Sequence, residues 1–343
     1  MPTLDIMNND AFSISSLTQT INNVPFRPGR IGQLGLFRER GMTTLSAMIE
    51  RVGQTLMLVP TSPRNGVPPT QPRDRRELIS VAAPHIALQD AVHADEVQGV
   101  RAFGSETEVM TIEGLVRDRL DSMSQHLDMT LEWHRMGALK GRVYDSDGVS
   151  VVHDFYTIHG QTAQTVIDMD LANASPASGA LRASFNTIIR QIRTELGGVL
   201  FTRVHGFCGY AFMEALLAHP QYISTFGGTD AAQLRQQAVS TDPGASIAVN
   251  AFGVTLEEYP GDVNGQKFVA DDEAIFFPLG VPNLFQTWYA PAPYMETVNT
   301  LGLPRYAKQW DDGGRNVLRH LEAQTNPVNF NSRPRTVAFA KLT

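Results

Sequence analysis

Between Ser105 and Lys140 the sequence keeps one unbroken helical period. Ile112, Val116, Leu120, Met123, Leu127, Leu131, His134 and Ala138 recur three or four positions apart, and residues so spaced share one face of an α-helix. Ser105 with Glu108 makes a capping box that satisfies two orphan amides at a helix start, and Gly141 supplies a stop. At about 1.5 Å per residue this helix runs for about 50 Å, longer than a small domain of about 30 Å. The pattern predicts a strut along an elongated subunit. Asp118, Asp121, Asp128 and Glu132, interleaved with Arg117, Arg119 and Arg135, predict a solvated or partner-facing charged stripe on its other faces.

The segments before the helix have too few contiguous apolar residues for a core of their own. Residues 1–35 read as an arm: a short helix from Ser13 to Ile21, then Asn22, Asn23, Pro25, Pro28 and Gly29. Such a segment must lie on another surface. From 36 to 91 two strand-like flanks, Leu56 to Val59 and Leu78 to Leu88, enclose a tip of Pro60, Pro63, Gly66, Pro68, Pro69 and Pro72. Proline forbids helix there and disfavours central strand. Arg64, Arg73, Arg75 and Arg76 decorate the tip. As a two-stranded arm is marginal alone in water, its apolar side is expected to meet another surface.

After the helix, Arg142 to Ile158 reads as a hairpin around the turn Asp145-Ser146-Asp147-Gly148. Residues 159–178 are a polar connector, and Ala180 to Leu196 is a second amphipathic helix. Then come strand-like Val199 to Val204, a helix from about Tyr210 to Ala218, strand-like Ile247 to Val254, and Ala274 to Phe277. The tail alternates again at Val337 and Phe339.

Composition bounds the function. The chain has 343 residues, 42% hydrophobic, with a formal net charge of −7, which argues against a nucleic-acid clamp. The single Cys208 forms no internal disulfide, so nothing implies an oxidising compartment. The polar, acidic start is unlike a signal peptide, and no run of about 18 apolar residues predicts a membrane span.

No constellation of catalytic or cofactor-binding residues stands out. His205 and Cys208 have the spacing of half a zinc site, but no second pair accompanies them. Asp145 and Asp147 look like part of a calcium loop, yet Val149 takes the third ligand position and no closing glutamate follows. Gly261 to Gly265 with Gln266 and Lys267 lacks the P-loop ending. His126 and His134 lie two helical turns apart, where paired ligands would lie one turn apart. No cofactor, no metal and no enzymatic activity are expected. The rival reading of another class is an α/β enzyme using His205 and Cys208.

The run Leu131-Glu132-Trp133-His134-Arg135-Met136-Gly137-Ala138-Leu139-Lys140-Gly141, leading into Asp147-Gly148 and Val152-His153-Asp154-Phe155, resembles the major capsid proteins of lambda-like tailed bacteriophages. The resemblance continues through Gly253 to Gly265, Phe276-Phe277-Pro278-Leu279-Gly280, Tyr289-Ala290-Pro291-Ala292-Pro293, Thr325-Asn326-Pro327 and Arg333-Pro334. The motifs are short, and their shared order along the chain makes them specific. Tyr156 departs from the family's common glycine.

The resemblance implies an α+β chain with the Hong Kong 97-like fold: N-terminal arm 1–35, extended E-loop 36–91, peripheral (P) domain 92–170 with spine helix 105–140, axial (A) domain 171–304, and a return to the P domain at 305–343. The hairpin and C-terminal strand would lie beside the spine, and the arm and E-loop would cover neighbouring subunits. It further implies self-assembly into hexamers and pentamers as an icosahedral shell around double-stranded DNA, without sequence-specific binding. The shell would assemble in the host bacterial cytoplasm and reside in the virion. Separate scaffolding, decoration and portal proteins are expected partners, and no extra N-terminal scaffold domain is seen. Residues 36–91 hold no lysine, so a non-covalent shell is expected. Arg64, Arg73, Arg75 and Arg76 would meet Asp118, Asp121 and Glu132 of an adjacent copy, and deleting residues 1–30 should leave a folded subunit unable to form shells. An encapsulin-like compartment of the same fold is the alternative.

Overall fold

A computed structural model describes residues 14–23, 29–51, 77–97, 112–226, 248–259, 261–263, 265–311 and 318–343. In chain order the first elements are α1 (Ile14–Asn23), α2 (Arg30–Gln33), β1 (Arg38–Gly41), β2 (Ser46–Arg51), β3 (Glu77–Ala82), β4 (Ile86–His93) and α3 (Ala94–Val97). They are followed by α4 (Ile112–Lys140), β5 (Arg142–Tyr144), β6 (Val151–Asp154), α5 (Phe155–Ile158), β7 (Ile167–Asp168), α6 (Ala180–Leu196), β8 (Arg203–Cys208), α7 (Tyr210–Ala218) and α8 (Pro220–Phe226). The remaining strands are β9 (Ala248–Ala251), β10 (Val254–Glu258), β11 (Asp262–Val263), β12 (Gln266–Lys267), β13 (Glu273–Leu279), β14 (Phe285–Tyr289), β15 (Tyr306–Asp311), β16 (Leu318–Thr325), β17 (Pro327–Asn331) and β18 (Ala338–Lys341). The chain forms two compact units. One comprises Met1–Met48, Ser80–Arg135 and Gln286–Asn329; the other comprises Ile49–Ile79, Met136–Phe285 and Phe330–Thr343.

In the first unit, β15, β16 and β4 form an antiparallel sheet in that order. Its core joins Leu115, Val116, Leu120, Met123 and Leu127 of α4 to Val92, Ala307, Leu321 and Ala323 of the sheet. The helical periodicity therefore marks a buried stripe, and His134, in register with it, is also buried. The capping box at Ser105 and Glu108 lies outside the described residues. A second sheet, ordered β1-β14-β17, pairs β1 parallel with β14.

The arm departs from expectation. Leu17 and Ile21 of α1 belong to the same core as α4 and the sheet, and Ile31 of α2 is fully buried. The described helices α1 and α2 thus bury apolar side chains on their own chain, and for α1 the edge of β15 offers the surface. The Thr18 hydroxyl donates to the Ala307 carbonyl at 3.4 Å and accepts from the Ala307 amide at 3.3 Å. One side chain thereby stands in for a missing neighbour strand.

In the second unit a mixed six-stranded sheet runs β7-β18-β13-β8-β10-β9. Leu181, Phe185, Ile188 and Ile192 of α6, with Phe212 and Leu216 of α7, cover one face of it. The helix expected at Ala180 to Leu196 is found with those bounds. The strand expected at 199–204 instead occupies Arg203–Cys208, held between β13 and β10, while Gly197 and Gly198 take positive φ and Leu200 is exposed. The stretch 247–254 breaks into β9 and the start of β10, which turn at Phe252 and Gly253 with φ of 51° and 85°. This two-residue turn with positive φ at both positions suits the twist of a hairpin. The tail, expected beside the spine, pairs through β18 with β13 and β7. A short 3₁₀ turn takes up Pro334–Thr336.

The β5–β6 hairpin forms as predicted and ends in α5. Asp147 explains its turn without a cation: its carboxylate accepts from the amides of Val149 and Ser150 at 2.8 Å and from the Ser150 hydroxyl at 2.5 Å. Gly137 lets the returning strand approach, since a Cβ there would lie 2.8 Å from the Arg142 carbonyl oxygen.

Candidate assembly surfaces

The charged residues of α4 divide by position. Asp118 and Arg117 are exposed and Asp121 is half-buried, whereas Asp128, Glu132 and Arg135 are buried. Glu132 is thus not available as an intersubunit contact, and with Asp128 and Arg135 it leaves the predicted solvated stripe. A buried charged group persists only where partners replace its water, and for these three the partners come from the N-terminal segment, the β1 strand and Arg305.

Arg305 Nη2 donates to both carboxylate oxygens of Asp128, at 2.6 and 2.7 Å, and its Nε donates to Oδ1 at 3.1 Å. Its Nη1 donates at 3.0 Å to the carbonyl of Ile21, one of the last four carbonyls of α1, which lack helical partners. Asn22 completes the link by donating to the Arg305 carbonyl at 2.9 Å. One turn further along α4, Glu132 accepts from the Ile31 amide at 2.7 Å. Gly29 passes so close that a Cβ there would meet the Glu132 side chain at 2.4 Å. Arg135 pairs with Glu39 of β1 and lies over the Phe37 ring, 5.7 Å from its centroid. Three successive charged residues of α4 therefore anchor α1, the start of α2 and β1 to it. A cleft of about 200 Å³ is lined in part by Asn22, Glu39, Asp128, Tyr289 and Arg305.

The expected arginines of the tip, Arg64, Arg73, Arg75 and Arg76, lie outside the described residues. The His205 and Cys208 pair forms no ligand set, because residues three apart on a strand point to opposite faces. Cys208 is buried in the helix-covered core, which pushes its thiol pKa up. The His205 ring packs against both Phe207 and Phe277, with its Nε2 3.5 Å from a Glu257 carboxylate oxygen. Among the described residues no three His, Cys, Asp or Glu gather as a metal site, and no helix is long and apolar enough to cross a membrane.

A further surface was not singled out from the sequence. Leu45, Met295, Val298, Leu301 and Leu303 are exposed large hydrophobics of the first unit. The signal in the sequence is their spacing at 295, 298 and 301 within a segment bounded by Pro293 and Pro304.

Residues 13–342 match the family described as phage major capsid protein E. The chain belongs to that family. It is 26% identical to the major capsid protein of Pseudomonas phage KPP10, over 99% of both chains. It is also 26% identical to that of Salmonella phage Felix O1, isolate Felix O1-VT1, over 94% of both. Among solved structures, it shares its fold with a protein assigned as a prophage capsid protein from E. coli CFT073. That pair has a TM-score of 0.57 at 12% identity, covering 97% of this chain and 99% of the other. The α+β architecture is that of the Hong Kong 97-like capsid proteins, and this capsid-family chain is a structural subunit that self-assembles into a shell.

Proposed function

We propose that this capsid chain builds an icosahedral head as hexamers and pentamers, encloses double-stranded DNA without reading its sequence, and holds the shell without covalent links. The observation that carries the reading is the family match across residues 13–342. The net charge of −7 suits a lining that does not grip DNA tightly. The lack of lysine at 36–91 removes the nucleophile that an E-loop crosslink would use.

In this reading 36–91 is the E-loop, 92–170 the P domain with its spine, 171–304 the A domain and 305–343 the return. Residues 1–35 remain the arm by position, although α1 and α2 are anchored within their own chain. The tip arginines Arg64, Arg73, Arg75 and Arg76 face Asp118 and Asp121 of an adjacent copy. Each exposed pair contributes about 0.2–1 kcal/mol, so many overlapping contacts hold the shell. Separate scaffolding, decoration and portal proteins complete the head, which assembles in the host bacterial cytoplasm and ends in the virion. The protein acts structurally, without a catalytic step.

Electron microscopy of purified particles with a nucleic-acid assay of their contents tests the proposal. Closed shells from phage-producing cells that carry double-stranded DNA support it. Shells filled with enzyme cargo and no DNA favour the encapsulin-like alternative. A protein that stays monomeric at high concentration in those cells overturns the reading.

A further inference from the structure

The segment Ala290 to Pro304 has almost no regular structure, yet it is held firmly. The Thr297 hydroxyl shares its one proton between the carbonyls of Ala292 and Tyr294, at 2.7 and 3.0 Å, and the Thr300 hydroxyl donates to the Thr297 carbonyl at 2.7 Å. The Gly302 amide donates to the Met42 carbonyl at 2.9 Å, and the Leu303 amide to the Tyr306 hydroxyl at the same distance. Tyr294 and Thr297 turn inward.

Outward, the same loop displays Met295 at 89% exposure, Val298 at 59% and Leu301 at 61%. The Thr297 amide bonds back to Tyr294 and the Thr300 amide to Thr297. Side chains three apart line up over turns of that kind. The turn between β1 and β2 lies against the loop, since Met42 accepts from the Gly302 amide and Gly41 at the end of β1 packs on Leu301, and it adds Leu45 at 70% exposure. The loop's acid, Glu296, is 3.6 Å from the Lys308 ammonium.

A loop free to choose its surface would present polar residues to water. This one spends its polar groups on holding its own shape and leaves large apolar side chains outside. Preorganised apolar anchors are the mark of an interface, because little ordering entropy remains to be lost on contact.

We propose that Leu45, Met295, Val298, Leu301 and Leu303 form a contact patch for a second copy of this chain within the shell. Even the largest apolar patch on a typical monomer covers only about 300–600 Å², below the roughly 800 Å² per partner of a stand-alone complex, and this patch draws on five side chains. It is therefore too small to hold a dimer and suited to one of several simultaneous contacts in a lattice of copies. This deepens the shell reading and rests on it.

The test places photoreactive benzoylphenylalanine at Met295 in shells assembled from mixed light and heavy-isotope chains, followed by mass spectrometry of the crosslinked peptides. Light-to-heavy crosslinks between copies are expected. Crosslinks to a different shell protein, or none in intact particles, overturn the patch. In parallel, Met295→Asp with Val298→Asp should retain the wild-type circular dichroism and melting temperature while lowering particle yield at least tenfold. Met295→Leu with Val298→Ile should restore the yield. Wild-type yield from the aspartate variant overturns the patch and leaves the shell reading standing, whereas failure of the wild-type chain to form particles removes both.

Discussion

Arg305 holds Asp128 through three hydrogen bonds of 2.6 to 3.1 Å, with both side chains only 7% exposed. The same guanidinium reaches the end of α1 through Ile21, so one buried pair joins α4, the N-terminal helix and the start of β15. Arg305→Ala leaves a buried carboxylate without its counter-charge, which costs about 3–5 kcal/mol. Urea unfolding of the unassembled chain should show that loss. A change below about 1 kcal/mol would mean the site is wet enough to rehydrate Asp128.

Ile21, with no exposed surface, gives a second expectation. Ile21→Ala should cost about 2–5 kcal/mol through lost transfer energy and the cavity left behind. Deleting residues 1–30 should accordingly destabilise the subunit itself, not only its assembly. Thermal melting of the truncated chain separates the two, since an unchanged melting temperature would restore a dispensable arm.

Gly141 has φ of +87°, and a Cβ there would lie 2.5 Å from Cε2 of Tyr156. Gly141→Ala combines backbone strain with overpacking, each typically about 1–3 kcal/mol. A fall in melting temperature of several degrees is expected. Adding Tyr156→Leu should recover only the steric part, as measured in a double-mutant cycle.

Alkaline pH should weaken the fold in stages. Burial pushes up the Cys208 thiol and raises the Tyr156 phenol to about 12; Tyr289 and Tyr294 are shifted upward for the same first reason. In the unfolded chain a thiol ionises near about 8.5 and a phenol near about 10. Above those values the folded state holds protons that the unfolded state has lost, so stability falls as pH rises. Urea midpoints should decline from about pH 8.5 and more steeply beyond about 10. Cys208→Ala should flatten the first stage. The native thiol should also resist alkylation that proceeds readily in denaturant.

A non-covalent shell is a further expectation. Boiled denaturing gels of mature particles should show monomer alone; a ladder of higher species would require a crosslink made without an E-loop lysine.

Elements set by local chemistry were legible. The spacing from Val116 to Ala138 gave the buried stripe of α4, Gly141 ended it, Asp145 to Gly148 turned the hairpin, and α6 carried its own apolar period. The Met295 patch was also written locally, but three exposed apolar residues in a proline-flanked segment carry no meaning until their exposure is known.

What the sequence by itself determined, then, is where the chain turns and which face of each helix is apolar, because residues a few positions apart decide those. Tertiary structure decided which charges leave water. Asp118 sits between Arg117 and Arg119 and stays exposed, whereas Asp128, between Leu127 and Met129, is buried against an arginine 177 positions away that its neighbours in sequence do not announce. It also decided that α1 closes the edge of β15 and that the tail joins β13, since strand partners are chosen by surfaces the chain brings together only after it folds.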